Sequence, residues 1–293
     1  MYFPYLKLRQ EESNAIKDTV CSYPDDKVLP ILEPCHENDQ ELYSYKALNK
    51  TVQSLIEARK KFILIINSEA DLASLKTVHA NFDQYCIRGY YSNNPVITNY
   101  TGGHEIAVFH KTAGTPVQDA AYMKYHIMLP SVLGFGTYIN SYPTNKVVKI
   151  EDAFEKHSPN SNYPASDLFK STSVFTFRQN GYAGFGDYTI LEAGYEVFGS
   201  ARASRITHVI HLTRQRDQLQ QLEVCHYLTT PTMEPDNKTR SIKTIEKAYN
   251  DRHRFLNTKG IQMIVAKYNH STNAGYYKRV GMIHHIELMH SLI

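Results

Sequence analysis

Five polar residues fall where strand-like runs end, and their types suit proton transfer and anion recognition: Glu33, Asn67, Arg88, Asp187 and His211. Two carboxyl groups in unlike surroundings can divide acid and base roles, and an imidazole can move the proton. Asp187 and Glu33, with His211 assisting, are therefore the candidate catalytic residues. Asn67 and Arg88 are the candidate ligand-binding residues, the guanidinium because it can clamp an anion through two parallel hydrogen bonds. Asp187 is the preferred single residue, since Gly184 and Gly186 permit close backbone approach beside it. A plainer account competes at each position. Glu33, before Pro34, can cap the following segment, Arg88 can pair with Glu33 or Asp187, and His211 can be a hydrogen-bonded core histidine. If Asp187 serves a ligand, Asp187→Ala removes activity and leaves thermal stability nearly unchanged. Loss of folding assigns it to structure instead.

Other chemistries find less support. Cys35-His36 and Cys225-His226 are Cys-His dipeptides, but neighbours on a strand point to opposite faces and do not share a tetrahedral metal. His104-Glu105 lacks the second histidine four residues on that makes a zinc-binding helix. A C-terminal helix groups His284, His285 and Glu287, for which packing is the commoner use than ligation. No Walker lysine follows the glycine pairs, and no G-x-S-x-G elbow is present. The expectation is no bound metal and no cofactor. Basic residues concentrate in 202–216 and 238–254 near Tyr227, Tyr249 and Phe255, a composition that can hold a single nucleic-acid strand. Glu246 and Asp251 interrupt the second cluster, which also fits a solvated helix face.

The elements that must position these residues alternate between strand and helix. Residues 28–34, 61–67, 86–91, 104–110 and 126–129 read as short apolar strands, the second apolar on both faces as in a covered parallel sheet. Between them, 39–60 repeats apolar positions Leu42, Tyr45, Leu48, Val52, Leu55 and Ile56 at helical spacing, and Glu69–Val78 and 117–125 also read as helices. Repeated βα units with right-handed connections give a doubly wound sheet or a closed barrel. No G-x-G-x-x-G opens a helix after the first strand, so an α/β TIM-barrel-like fold is favoured. Residues 146–173 are irregular, with 158–162 and Pro164 marking a long loop. Beyond them 172–177, 184–190, 207–214 and 222–229 look extended, the last two as a hairpin. A helix at 241–256, a strand at 261–266 and a final helix complete the chain. No composition break divides it, which implies a single barrel-like domain over 1–293 with an irregular insertion near 146–173.

Composition bounds the function classes. The 293 residues carry 42% hydrophobic and 21% charged side chains, which excludes a disordered, collagenous or coiled-coil chain. A net charge of +3 offers no argument for a nucleic-acid partner and removes only the argument from net charge. The longest strongly apolar run, 62–66, is far below the ~20 residues that span a bilayer. Four widely spaced cysteines make no disulfide framework, and residues 1–12 show no secretory pattern. The expectation is a cytoplasmic chain with no membrane partner, its cysteines serving as small buried hydrophobes.

Several segments together resemble a little-characterised family of bacteria and phages, the phage beta-protein-like proteins. They are the opening Met1-Tyr2-Phe3-Pro4-Tyr5-Leu6, the run Pro30-Ile31-Leu32-Glu33-Pro34 and Gly184-Phe185-Gly186-Asp187-Tyr188-Thr189-Ile190. Val209-Ile210-His211-Leu212-Thr213 and Met282-Ile283-His284-His285-Ile286-Glu287-Leu288-Met289 complete the set. The resemblance implies a barrel-like α/β fold and a place in a phage-linked or antiviral defence cassette, beside a nuclease-like protein partner encoded nearby. In that setting the chain recognises a ligand or partner at the strand C-terminal mouth. The alternatives are a hydrolase built on Asp187 and Glu33 with His211, and a nucleic-acid-binding accessory subunit. Ser200-Ala201-Arg202-Ala203-Ser204-Arg205 departs from the Gly- and Pro-rich approach of the family pattern.

Overall fold

The computed structural model describes residues 1–34, 41–98, 100, 102–117, 122–193, 206–216 and 220–293. In the first part of the chain the elements are β1 (Tyr2–Leu8), α1 (Gln10–Asp18), β2 (Ile31–Pro34), α2 (Glu41–Glu57), β3 (Phe62–Ile65), α3 (Glu69–Val78), α4 (Phe82–Tyr85), β4 (Cys86–Tyr91), α5 (Pro95–Thr98), β5 (Ile106–His110), β6 (Tyr125–Met128) and α6 (Gly136–Ile139). They continue with β7 (Val147–Glu151), β8 (Ser166–Phe169), α7 (Ser173–Thr176), β9 (Gly184–Asp187), β10 (His208–Gln215), β11 (Leu222–Thr229), α8 (Asn237–Asn250), α9 (Lys259–Ala266) and α10 (Ala274–Leu292). Two compact units result: 1–151 with 173–187 and Ile293, and 152–172 with 188–292.

The first unit is a closed parallel barrel in the order β1-β2-β3-β4-β5-β6-β7-β9, with helices between strands, so the chain has the α/β TIM-barrel-like fold. Ring contacts across the barrel identify the inward face. Phe3 of β1 meets Tyr125 of β6 at 5.2 Å, and Tyr5 meets Phe109 of β5 at 6.2 Å. Alternation then places Ile31, Ile63, Ile87, Ile127 and Ile150 inside as well, a core packed with side chains rather than a pore. Gly184 and Gly186 take this inward phase on β9. A Cβ on Gly186 would lie 2.1 Å from the Phe3 carbonyl oxygen, and one on Gly184 would lie 2.3 Å from that of Met1. The two glycines let β9 close against β1. On α2 the expected apolar stripe is buried at Leu48, Val52 and Leu55. Ser68 caps α3 by accepting the Asp71 N–H at 3.1 Å.

The second unit is a three-stranded antiparallel sheet in the order β10-β11-β8, with β10 and β11 paired as the expected hairpin. One face sends Ile210, Leu212 and Cys225 against Ile245, Ala248, Ile261, Ile264 and Val280 of the helices. The other face carries His211, His226 and Asp167. Residues 261–266, read as a strand, lie within α9, because a short apolar run has no period of its own and the Thr258 cap decides it. Residues 172–177, read as extended, include α7. The helix placed at 241–256 runs Asn237–Asn250, capped by Asp236.

The stretch read as irregular, 146–173, contains β7 of the barrel and β8, half of whose residues are polar. β1 was not assigned from the sequence, where Pro4 and Lys7 interrupt its apolar run, yet Tyr2, Phe3, Tyr5, Leu6 and Leu8 are all buried. Part of the helix expected at 117–125 lies outside the described residues, as do Cys35 and His36 and the segment 200–205. Cys86 and Cys225 are buried as expected, and Cys21 is partly so.

Candidate functional site

In a parallel barrel the strand C-terminal ends and the loops after them offer side chains to a ligand. Lys7 and Glu33 are register neighbours at the exits of β1 and β2, in the inward phase of Tyr5 and Ile31. Tyr91 ends β4 in the same phase, within a hydrogen bond of Tyr5 and near the Glu33 carboxylate. Burial and then the Glu33 charge hold the Tyr91 hydroxyl above its ordinary pKa. The Lys111 ammonium lies 6.0 Å from the Tyr91 ring centre, and Asn67 is exposed just beyond β3. Glu33 and Asn67 therefore sit at one end of the barrel, joined by Lys7, Tyr91 and Lys111, which the sequence reading did not select. Strand phase was their signal: Lys7 follows Phe3 and Tyr5 at spacing two once β1 is known to be a strand.

Arg88 and Asp187 have the opposite phase. Arg88 registers with Leu64 and Ile106 on the outer face, and its guanidinium donates to Asp83 at 2.7 Å. It lines a surface cleft with Tyr90, Tyr100 and His104. Asp187 is 1% exposed and accepts the Tyr2 hydroxyl at 2.7 Å. Burial first, and Asp187 second, push the Tyr2 hydroxyl well above its ordinary pKa. The structure does not bring Asp187 or Arg88 together with Glu33. The reason is the glycine packing, which commits the even-numbered positions of β9 to the interior and turns Asp187 outward.

His211 belongs to the second unit and starts a chain of polar contacts there. Its Nδ1 lies 2.7 Å from Nδ1 of His226, whose Nε2 lies 3.1 Å from Oδ2 of Asp167. The same Asp167 oxygen is 2.8 Å from Nε2 of His157. The Tyr163 ring packs at 4.7 Å from both His211 and His226, and Phe154 meets His211 edge-on at 5.0 Å. Burial, followed by the neighbouring imidazoles, holds His211 well below its usual pKa. Burial also lowers His226 to about 4, outweighing the opposing pull of the Asp167 carboxylate. His211 lines a cleft of about 190 Å³ with Phe154 and Tyr163, where Lys156 and Glu192 form an ion pair at 2.5 Å. His157, Asp167 and His226 were not selected from sequence. Two lie in the stretch read as irregular, and His226 drew notice only beside Cys225, which faces the opposite way into the core.

The remaining polar motifs have structural partners. His284 pairs with the Thr258 hydroxyl at 2.7 Å and the Thr213 carbonyl at 2.6 Å, while Glu287 accepts the Lys259 N–H. In 238–254, Arg240 is fully buried against the Glu234 and Pro235 carbonyls, Lys243 pairs with Glu234, and Arg254 pairs with Asp251. Arg252 stacks over the Tyr249 ring at 3.9 Å. Among the described residues no group of three His, Cys, Asp or Glu is arranged to hold a metal, and no helix is long and apolar enough to cross a membrane. No protein-family model, curated protein or solved structure matches the chain.

Proposed function

We propose that the protein recognises a ligand, or a segment of a partner protein, at the strand C-terminal mouth of its barrel. The observation that carries this reading is the convergence of Lys7, Glu33 and Tyr91 in one inward phase at the strand exits, with the Lys111 ammonium 6.0 Å from the Tyr91 ring centre. Tyr5 and Phe109 fill the barrel beneath them, so a ligand rests on the mouth instead of entering it. Two ammonium groups favour a ligand with an anionic group, and Glu33 beside Tyr91 adds an acceptor for its donors. Membership of a phage-linked or antiviral cassette and the nuclease-like partner follow from the sequence resemblance, and the cytoplasmic location expected from the sequence belongs to the same proposal.

The test is phage challenge of a host carrying the gene with its neighbours. Lys7→Ala with Lys111→Ala, and separately Glu33→Gln, should cost at least about tenfold in protection, as loss of one or two charged contacts implies. The melting temperature of the purified variants should stay near that of the parent. Protection at the parental level in both variants refutes the reading.

A further inference from the structure

The four-residue chain in the second unit has a defined proton order. Asp167 Oδ2 accepts from both His157 and His226, so His226 carries its proton on Nε2. A neutral His226 then offers a lone pair at Nδ1, and the 2.7 Å contact requires His211 to donate from its own Nδ1. His211 is left with an unprotonated Nε2, for which no partner exists among the described residues, on a residue that lines the cleft. The cleft is small, with aromatic walls from Phe154, Tyr163 and Tyr277, and Lys278 adds positive charge to its lining.

We propose that this cleft hydrolyses small carboxylic esters, with His211 as the catalytic general base and His226 and Asp167 as positioning residues. Nε2 of His211 takes a proton from water as the water oxygen bonds to the acyl carbon. The bond from that carbon to the leaving oxygen breaks, its electron pair stays with the leaving oxygen, and the proton passes to that oxygen or to solvent. The products are a carboxylate and an alcohol, and no oxidant or reductant is consumed. While His211 holds the proton, its Nδ1 proton can shift to His226, which places the positive charge beside the Asp167 carboxylate instead of in the aromatic wall. Phe154 and Tyr163 pack against the His211 ring, with centroids at 5.0 Å and 4.7 Å. The site draws on no residue of the barrel mouth, so either reading can fail alone.

The charged and titratable groups around His211 are few enough to interpret a pH profile. β11 contributes His226 and β8 contributes Asp167, while the segment before β8 brings Lys156, His157 and Tyr163. The remaining cleft groups are Glu192, His208, Tyr277 and Lys278. Since burial keeps His211 neutral, hydrolysis should rise through the acid range and level off at or below neutral pH.

The experiment follows p-nitrophenyl acetate hydrolysis by the full chain as a function of pH. His211→Ala should lower kcat at least about 100-fold, the scale of a lost general base. Asp167→Asn, which keeps a hydrogen-bond acceptor but removes the charge, should lower kcat about tenfold with KM within twofold. It should also move the acid limb of the profile to lower pH, a shift that a merely structural role would not produce. Nitrogen-15 imidazole shifts of the unmodified protein provide a reading independent of any variant's folding, with a proton on Nδ1 of His211 and on Nε2 of His226. No turnover above the buffer rate, unchanged turnover in His211→Ala, or the reverse tautomers would each overturn the proposal.

Discussion

Asp187 separates a structural from a ligand-binding account of the Gly184–Asp187 strand. Its carboxylate is 1% exposed and accepts the Tyr2 hydroxyl at 2.7 Å. A hydrogen bond to a charged group contributes about 1.5–3 kcal/mol, and a buried hydroxyl stripped of its acceptor costs about 1–3 kcal/mol. Removing a buried carboxylate also relieves its own desolvation, which offsets part of that sum. Asp187→Ala should therefore destabilise the protein by about 2–4 kcal/mol. Tyr2→Phe should cost less, about 1–2 kcal/mol, because it removes a single hydroxyl and keeps the buried ring.

The double variant should fall short of additivity by about 1 kcal/mol, the coupling of two groups in contact. Urea unfolding followed by far-UV circular dichroism measures all three, since the chain has no tryptophan to report by fluorescence. A pH arm gives a second readout. Tyr2 is held above its unfolded value of 10.0, so the folded state retains a proton that the unfolded state releases. Stability should decline as pH rises above about 10, and Tyr2→Phe should flatten that decline. Asp187→Ala within about 0.5 kcal/mol of the parent, a change typical of an exposed site, would refute the buried-pair argument. Loss of function at unchanged stability would then return Asp187 to a site.

Two other outcomes follow from the packing. Gly186→Ala places a methyl group 2.1 Å from the Phe3 carbonyl and 2.6 Å from Ile150 Cδ1, so β1 and β9 must separate. It should cost about 3 kcal/mol or prevent soluble expression, whereas parental unfolding would contradict the close β1–β9 approach. Three buried histidines resist protonation, with His110 lowered to about 3 and His226 and His284 to about 4 by desolvation. Below pH 6.5 the unfolded chain binds protons that these folded imidazoles refuse, so stability is lost as pH falls from 6.5 toward 4. For His284, fully buried, the interval corresponds to roughly 3 kcal/mol. Urea midpoints that stay flat between pH 7 and 4.5 would contradict it.

Much of the barrel was legible because its strands and helices differ in period. Apolar runs such as Phe62–Ile65 and the helical stripe of Leu48, Val52 and Leu55 identify parallel βα units before any contact is known. β1 escaped notice because a proline and a lysine break its pattern, and α9 was taken for a strand because six residues are too few to show a period. Candidate residues fared according to phase. Glu33 and Asn67 reach the mouth, while Arg88 and Asp187 turn outward to Asp83 and Tyr2.

By itself the order of apolar and polar residues determined that this chain builds βα units and that Glu33 and Asn67 end strands. Only the tertiary structure decided which side of each strand is inside, because the interior of a closed barrel is set by neighbouring strands. Phe3 and Ile150 claim the space that Gly184 and Gly186 vacate, and Asp187 is turned away as a consequence. Likewise Asp167 stands 59 residues from His226 along the chain and meets it, and His226 meets His211, only when β8, β10 and β11 pair. Hydrogen-bond partners of that kind are a property of register, which no local pattern encodes.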